Sequence, residues 1–140
     1  MGVWLQLKGL RKFMSQYTVL SIDDDESARV LFEIMLKRSG FNVVQAVDAD
    51  DALEKLEGFM PDLIMTDIQL PGMNGIELTE VLRQRPELDN TAIVILSAFQ
   101  SQTMIEDASK AGADHFIKKP LAMVGLNEKL STIIEDRRAE

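Results

Sequence analysis

Three consecutive aspartates, Asp23, Asp24 and Asp25, follow the short strand-like run TVLSI, and a fourth, Asp67, follows another such run, DLIMT. Ser97 and Lys119 stand at the ends of two more. Two carboxylates about 5 Å apart at an effective dielectric near 20 repel by roughly 3 kcal/mol. A divalent cation relieves that repulsion. Hard oxygen donors suit Mg²⁺ or Mn²⁺, and Mg²⁺ commonly binds one or two carboxylates together with a phosphate group. Any one aspartate taken alone is most simply a loop residue or a helix N-cap, and Asp25 reads that way. Taken with a hydroxyl and an ammonium, however, Asp23, Asp24 and Asp67 make a phosphoryl-transfer constellation, in which positioning and charge neutralisation supply most of the catalysis. On this reading Asp67 attacks phosphorus, Asp24 holds the metal directly, Asp23 holds it or its water, and Lys119 and Ser97 contact phosphoryl oxygens.

These groups meet only if the chain between them builds one rim. From Thr18 onward, short apolar runs alternate with amphipathic stretches, the rhythm of βαβ units. Strands are predicted at Thr18 to Ile22, Asn42 to Ala46, Asp62 to Thr66, Ala92 to Leu96 and His115 to Ile117. The first helix is predicted over Glu26 to Ser39, with Leu31, Phe32, Met35 and Leu36 inward and Gly40 ending it. Asp48 caps a second helix from Ala49 to about Glu57. A third runs from about Ile76 to Gln84, with Leu78, Val81 and Leu82 inward and Pro86 preventing continuation. A fourth spans about Ser101 to Ala111 and ends at Gly112, and the last runs from Leu121 to about Arg137. The expected fold is therefore α/β, a flavodoxin-like (βα)5 doubly wound parallel sheet of strand order 2-1-3-4-5. Its ligand crevice lies outside the carboxyl ends of strands one and three.

With 140 residues, 46% hydrophobic and 27% charged, the chain has the size and composition of one globular domain. Lys8, Arg11 and Lys12 fall in the first 17 residues, which hold no acid, so the rest is more acidic than the net charge of -8 suggests. Such a surface repels nucleic acid phosphates, which argues against direct nucleic-acid binding and for cations or basic partner surfaces. With no cysteine, disulfides and thiolate metal sites are excluded. The longest apolar run near the start, Val3 to Leu5, is far too short for a signal peptide or a transmembrane segment, and the expected location is cytoplasmic.

Four segments, VLSIDDDES at 19–27, DLIMTDIQLPGMNGIEL at 62–78, VILSA at 94–98 and AGADHFIKKP at 111–120, resemble in order and spacing the receiver domain of bacterial response regulators. The resemblance implies that Asp67 is the phosphoacceptor and that Asp24, Asp67 and the backbone carbonyl of Gln69 ligate Mg²⁺ with Asp23 assisting. It further implies a cis Lys119–Pro120 bond and a switch in which Ser97 is drawn toward the phosphoryl group while the strand-five aromatic, here Phe116, turns inward. Gln69 and Phe99 stand where receivers vary and where side chains shield or admit water. Lys118 is an exposed neighbour, and His115 is structural rather than a phosphate donor.

The implied partners are a histidine kinase or histidine phosphotransfer protein, docking on the first helix with Ala28 and Ile34 as candidate contacts, and a downstream protein target. Homodimerisation on phosphorylation, through helix four, strand five and helix five, is left open. The expected organisation is an N-terminal extension over 1–17, either ill-ordered or an added helix, and a receiver domain over 18–137. It acts either as a stand-alone regulator or as part of a longer chain. Two other readings fit the acids less well: an inert receiver-like interaction module, and a haloacid-dehalogenase-like phosphatase with Asp23 as nucleophile.

Overall fold

The computed structural model describes residues 17–139; the expected N-terminal extension, apart from Tyr17, lies outside the described residues. In chain order the elements are β1 (Thr18–Ile22), α1 (Glu26–Arg38), β2 (Asn42–Ala46), α2 (Ala49–Lys55), β3 (Leu63–Asp67), α3 (Gly75–Arg83), a 3-10 turn (Pro86–Leu88), β4 (Ala92–Ser97), α4 (Gln102–Ala111), β5 (His115–Lys118) and α5 (Leu126–Ala139). The five strands are parallel in the order β2-β1-β3-β4-β5, as expected.

Alternating strand residues feed two apolar layers, because successive side chains leave a strand on opposite faces. On one face Val19, Leu63, Met65, Val94, Leu96 and Ile117 pack against Phe32 and Leu36 of α1 and Leu130 and Ile134 of α5. On the other, Leu20, Ile22, Ile64 and Ile93 pack against Ala52 of α2 and Leu78 and Leu82 of α3. A smaller group on that side joins Ile68 and Ile95 to Ala108 of α4, with Phe116 half-buried against it. Both faces of β4 are covered, so every one of its residues is buried.

The helix caps follow the sequence chemistry. Asp25, Asp48 and Ser101 each accept a first-turn backbone N–H, and Asn74 with Glu77 forms a capping box at the start of α3. That box sets the start of α3 at Gly75, one residue earlier than the pattern predicts. β3 begins and ends one residue later than predicted and so includes Asp67. α2 ends at Lys55, two residues short of expectation.

Two larger expectations fail. On α1 the inner face is Ala28, Phe32, Met35 and Leu36, whereas Leu31 is 53% exposed. Residues 28, 32 and 35 lie on one side at helical spacing, and Val30, Leu31 and Ile34 lie on the other. α5 begins at Leu126 rather than Leu121, because Gly125 takes a left-handed conformation at φ 73°, which interrupts a helical path. Leu121 is nonetheless buried in the core.

An ionic cluster fixes the end of the sheet away from the aspartates. Asp114 accepts hydrogen bonds from Arg83 (2.8 Å), Arg137 (3.2 Å) and the Ile93 N–H (2.8 Å), while Arg83 also donates to the carbonyls of Leu88 and Gly112. Removing one partner from so enclosed a cluster strands the others, and Asp114→Ala is expected to destabilise the fold by about 3 kcal/mol. Gly75 supports the opposite end: a Cβ there would stand 2.5 Å from the Asp67 carbonyl oxygen and 3.0 Å from Ile68 Cα. Gly75→Ala is expected to cost about 1–3 kcal/mol by overpacking. Urea midpoints measure both, and an unchanged midpoint in either variant contradicts the contact it tests.

Candidate functional site

The parallel sheet brings the carboxyl ends of β1, β3, β4 and β5 to one rim, and three of the aspartates and Lys119 stand together there. Asp23, Asp24 and Asp67 each offer a carboxylate oxygen, all within 4.8 Å of one another. Asp23 is 1% exposed, Asp67 largely buried and Asp24 open to solvent. The Lys119 ammonium lies 3.3 Å from Asp67 Oδ2 and 3.5 Å from Asp23 Oδ2, bridging the two enclosed acids. The backbone places it there: the Lys119 N–H donates to the Ser97 carbonyl at 2.8 Å, continuing the β4–β5 ladder by one residue. The Lys119–Pro120 bond is cis, as the resemblance implies.

Asp23 is held from three sides. Its backbone N–H donates to the Ala46 carbonyl (3.2 Å), its Oδ1 accepts the Asp25 N–H (2.9 Å), and its own carbonyl accepts from the Arg29 guanidinium (2.8 Å). Burial pushes the Asp23 carboxyl above the usual carboxylate range, with the neighbouring Asp67 charge adding to the effect; the Asp25 hydrogen bond and Lys119 only partly oppose this. A carboxylate kept short of compensation in this way suits a cation. Three hard oxygen donors with one face open to solvent fit a small divalent ion of the Mg²⁺ or Mn²⁺ kind.

The other predicted residues fall at graded distances from this cluster. The Gln69 N–H reaches Asp67 Oδ1 at 3.4 Å. Ser97 is buried at the end of β4, one residue past Leu96, the partner of Asp67, and its Oγ accepts the Phe99 N–H at 3.1 Å. Phe116 sits apart from the acids, opposite Ile95 on β5. Beside it a cavity of about 280 Å³ is lined by Ile105, Ala108, Ala113 and Phe116 together with the polar Gln100, Ser109, Asp114 and His115. Phe99 is 73% exposed and is not packed down as a shield. Asp25 is the α1 N-cap, and Lys118 is exposed.

Of the two partner-contact candidates, Ala28 is half-buried. It packs against the core, because it lies one helical turn before Phe32 on the same face. Ile34 is exposed beside Val30 and Leu31. Two residues of the site were not anticipated: Arg29, whose guanidinium clamps the Asp23 carbonyl, and Phe32, whose ring centroid lies 5.7 Å from the Lys119 ammonium. A larger cleft of about 560 Å³, between the start of β5 and α5, is remote from the carboxylates. Among the described residues, no helix is long and apolar enough to cross a membrane.

Residues 19–131 match the sequence profile of the response regulator receiver domain. The chain is 35% identical over 122 residues to the alkaline phosphatase synthesis transcriptional regulatory protein PhoP of Bacillus subtilis, covering 87% of this chain and 49% of that protein. It is 33% identical over 117 residues to the chemotaxis protein CheY of Thermotoga maritima, covering 82% of this chain and 95% of that one. The chain spans about half or less of the length of several curated relatives that it matches. Among solved structures it resembles a CheY-like response regulator receiver domain protein of Methanospirillum hungatei, with TM-score 0.78, 28% identity and coverage of 89% of this chain and 98% of that one. It also resembles the chemotaxis response regulator CheY4 of Vibrio cholerae, with TM-score 0.78, 27% identity and coverage of 84% and 98%. With the fold, the acid cluster and these likenesses in agreement, the chain belongs to the response regulator receiver domain family, the phosphoacceptor signalling module of two-component systems.

Proposed function

We propose that Asp67 is the residue that takes the phosphoryl group, and that residues 18–137 form the module that does so. The observation that carries this reading is the position of Asp67 at the end of β3, with the Lys119 ammonium at 3.3 Å and two further carboxylates close enough to share one cation. An Asp67 carboxylate oxygen attacks phosphorus, the bond from phosphorus to the donor breaks, and an acyl phosphate forms. A phosphohistidine of a histidine kinase or phosphotransfer protein is the donor that fits, with the imidazole leaving. Lys119 and Ser97 hold phosphoryl oxygens, and Lys119 moves from its bridge between the acids to do so.

Asp23, Asp24, Asp67 and the Gln69 carbonyl would hold Mg²⁺, or Mn²⁺ in its place, which supplies charge neutralisation at the transferring group. The chain's only catalysis on this reading is its own phosphorylation and dephosphorylation. Phosphorylation then biases Ser97 and Phe116. The Ser97 hydroxyl leaves the Phe99 N–H for a phosphoryl oxygen, and the Phe116 ring moves into the neighbouring cavity, altering the surface offered to a downstream protein. Ile34 with Val30 and Leu31 forms the apolar outer face of α1 available to the phosphodonor partner. A cytoplasmic location belongs to the same reading, and the acidic composition supports a module that does not itself bind nucleic acid.

The phosphatase reading is disfavoured by Asp23, whose near-complete burial and hydrogen bonds leave it poorly placed to attack. Incubation with Mg²⁺ and acetyl phosphate, followed by mass spectrometry, is expected to place the label on Asp67, and Asp67→Asn is expected to abolish it while the fold persists. Label on Asp23 supports the phosphatase, and no label on the unsubstituted chain supports an inert module. Mg²⁺ at about 100 times its dissociation constant is expected to stabilise the protein by about 2.7 kcal/mol, an effect that Asp24→Ala weakens and excess chelator removes. Thermal melts with and without the ion measure it, and equal midpoints would rule the metal site out.

A further inference from the structure

Phe32 is an apolar core residue by every local criterion: it lies on the inner face of α1, is 5% exposed and packs with Leu36, Leu126 and Leu130. Its ring does a second thing. The Lys119 ammonium stands 5.7 Å from the ring centroid, within the range at which the negative face of an aromatic attracts a cation. No other described aromatic ring contacts Lys119 at such a distance; the second cation–ring pair, Arg138 with Tyr17, lies elsewhere. The lysine therefore has three attractive neighbours: Asp23 at 3.5 Å, Asp67 at 3.3 Å and the Phe32 ring. Two of these change during the reaction on the reading proposed above. Asp67 loses its free carboxylate when it is phosphorylated, and Asp23 shares its charge with the metal. The ring changes in neither event.

We infer that Phe32 is a positioning residue for phosphoryl transfer: its ring holds the Lys119 ammonium at the rim while the acids that anchor it are drawn into the reaction. A long, flexible lysine otherwise loses its orientation once its carboxylate partners are engaged, and a fixed, dry π face restrains the ammonium without competing with the phosphoryl oxygens for it, as an anion would. Phe32 does not touch the reacting atoms and acts only through Lys119. It also connects the site to the helix whose outer face carries Val30, Leu31 and Ile34, so a partner seated there presses on the same helix that carries the ring.

The inference rests on Asp67 being the acceptor, and its test separates the two. A series of phenylalanines carrying increasing numbers of ring fluorines, introduced at position 32, keeps the shape of the side chain while draining charge from the ring face. Acetyl phosphate labelling of Asp67 at saturating Mg²⁺ is followed alongside the melting temperature. The expected result is a rate that falls stepwise with each fluorine, reaching about fivefold for the fully fluorinated ring, with melting temperatures nearly constant. Phe32→Leu is expected to lose a similar factor and Phe32→Tyr to restore most of it. A flat response across the series, or one that merely tracks melting temperature, overturns the positioning role. If the fully fluorinated protein folds poorly, the mono- and difluoro members still give the slope. Absence of label on Asp67 in the unsubstituted chain overturns the underlying reading instead.

Discussion

Electrostatic crowding at the carboxyl end of the sheet is the constraint from which the rest of this structure follows. Asp23, Asp24 and Asp67 bring oxygens within 4.8 Å of one another, and Asp23 does so almost without solvent. At such separations each charged pair repels by about 3 kcal/mol if the effective dielectric is near 20. One ammonium, that of Lys119, offsets part of this, yet the Asp23 carboxyl remains pushed up by its burial. The fold has to hold these groups in place against their own repulsion. It does so with backbone: the Asp25 N–H on Asp23, the Ala46 carbonyl under its amide, the Arg29 clamp on its carbonyl, and a bare Gly75 where α3 crosses the Asp67 carbonyl. Compensation that is nearly but not fully supplied is what makes the rim receptive to a cation.

The strands and the acids were legible in the sequence for a common reason. A parallel sheet covered on both faces demands short, continuously apolar strands, and those runs stand out, β4 most of all. Once the strands are parallel, residues that follow them must gather at one edge, so Asp23, Asp24, Asp67, Ser97 and Lys119 could be placed together by topology alone. What topology cannot convey is which side of a helix faces in when both sides are apolar. On α1 the outer residues Val30, Leu31 and Ile34 are as hydrophobic as the inner Phe32, Met35 and Leu36, so periodicity admitted Leu31 inward and Ala28 outward, the reverse of the packing. The start of α5 was misjudged for a different reason. The residues Leu121 to Val124 are compatible with a helix, and the left-handed Gly125 separates them from the helix that forms. Arg29 and Phe32 escaped notice because their contributions lie in a carbonyl and an ammonium brought near by tertiary structure, which leaves no mark in composition.

The two ends of β5 are fixed by different means, and this bears on how a signal leaves the module. At its start the Asp114 N–H pairs with the Ile93 carbonyl, while the Asp114 carboxylate takes Arg83, Arg137 and the Ile93 N–H. At its finish the Lys119 N–H pairs with the Ser97 carbonyl. Between these anchors the strand cannot slide, because its ladder to β4 runs unbroken from His115 to Lys118. Phe116 is the residue in that span whose ring is only half-buried, in the smallest of the three core clusters and against a cavity. On the proposed reading, the response to phosphate is thus a side-chain rearrangement on a stationary strand rather than a displacement of the strand itself. That fits the modest free energy available from a few new charge-assisted hydrogen bonds, which can bias a ring between two packings but cannot break the ionic cluster holding the far end of the sheet.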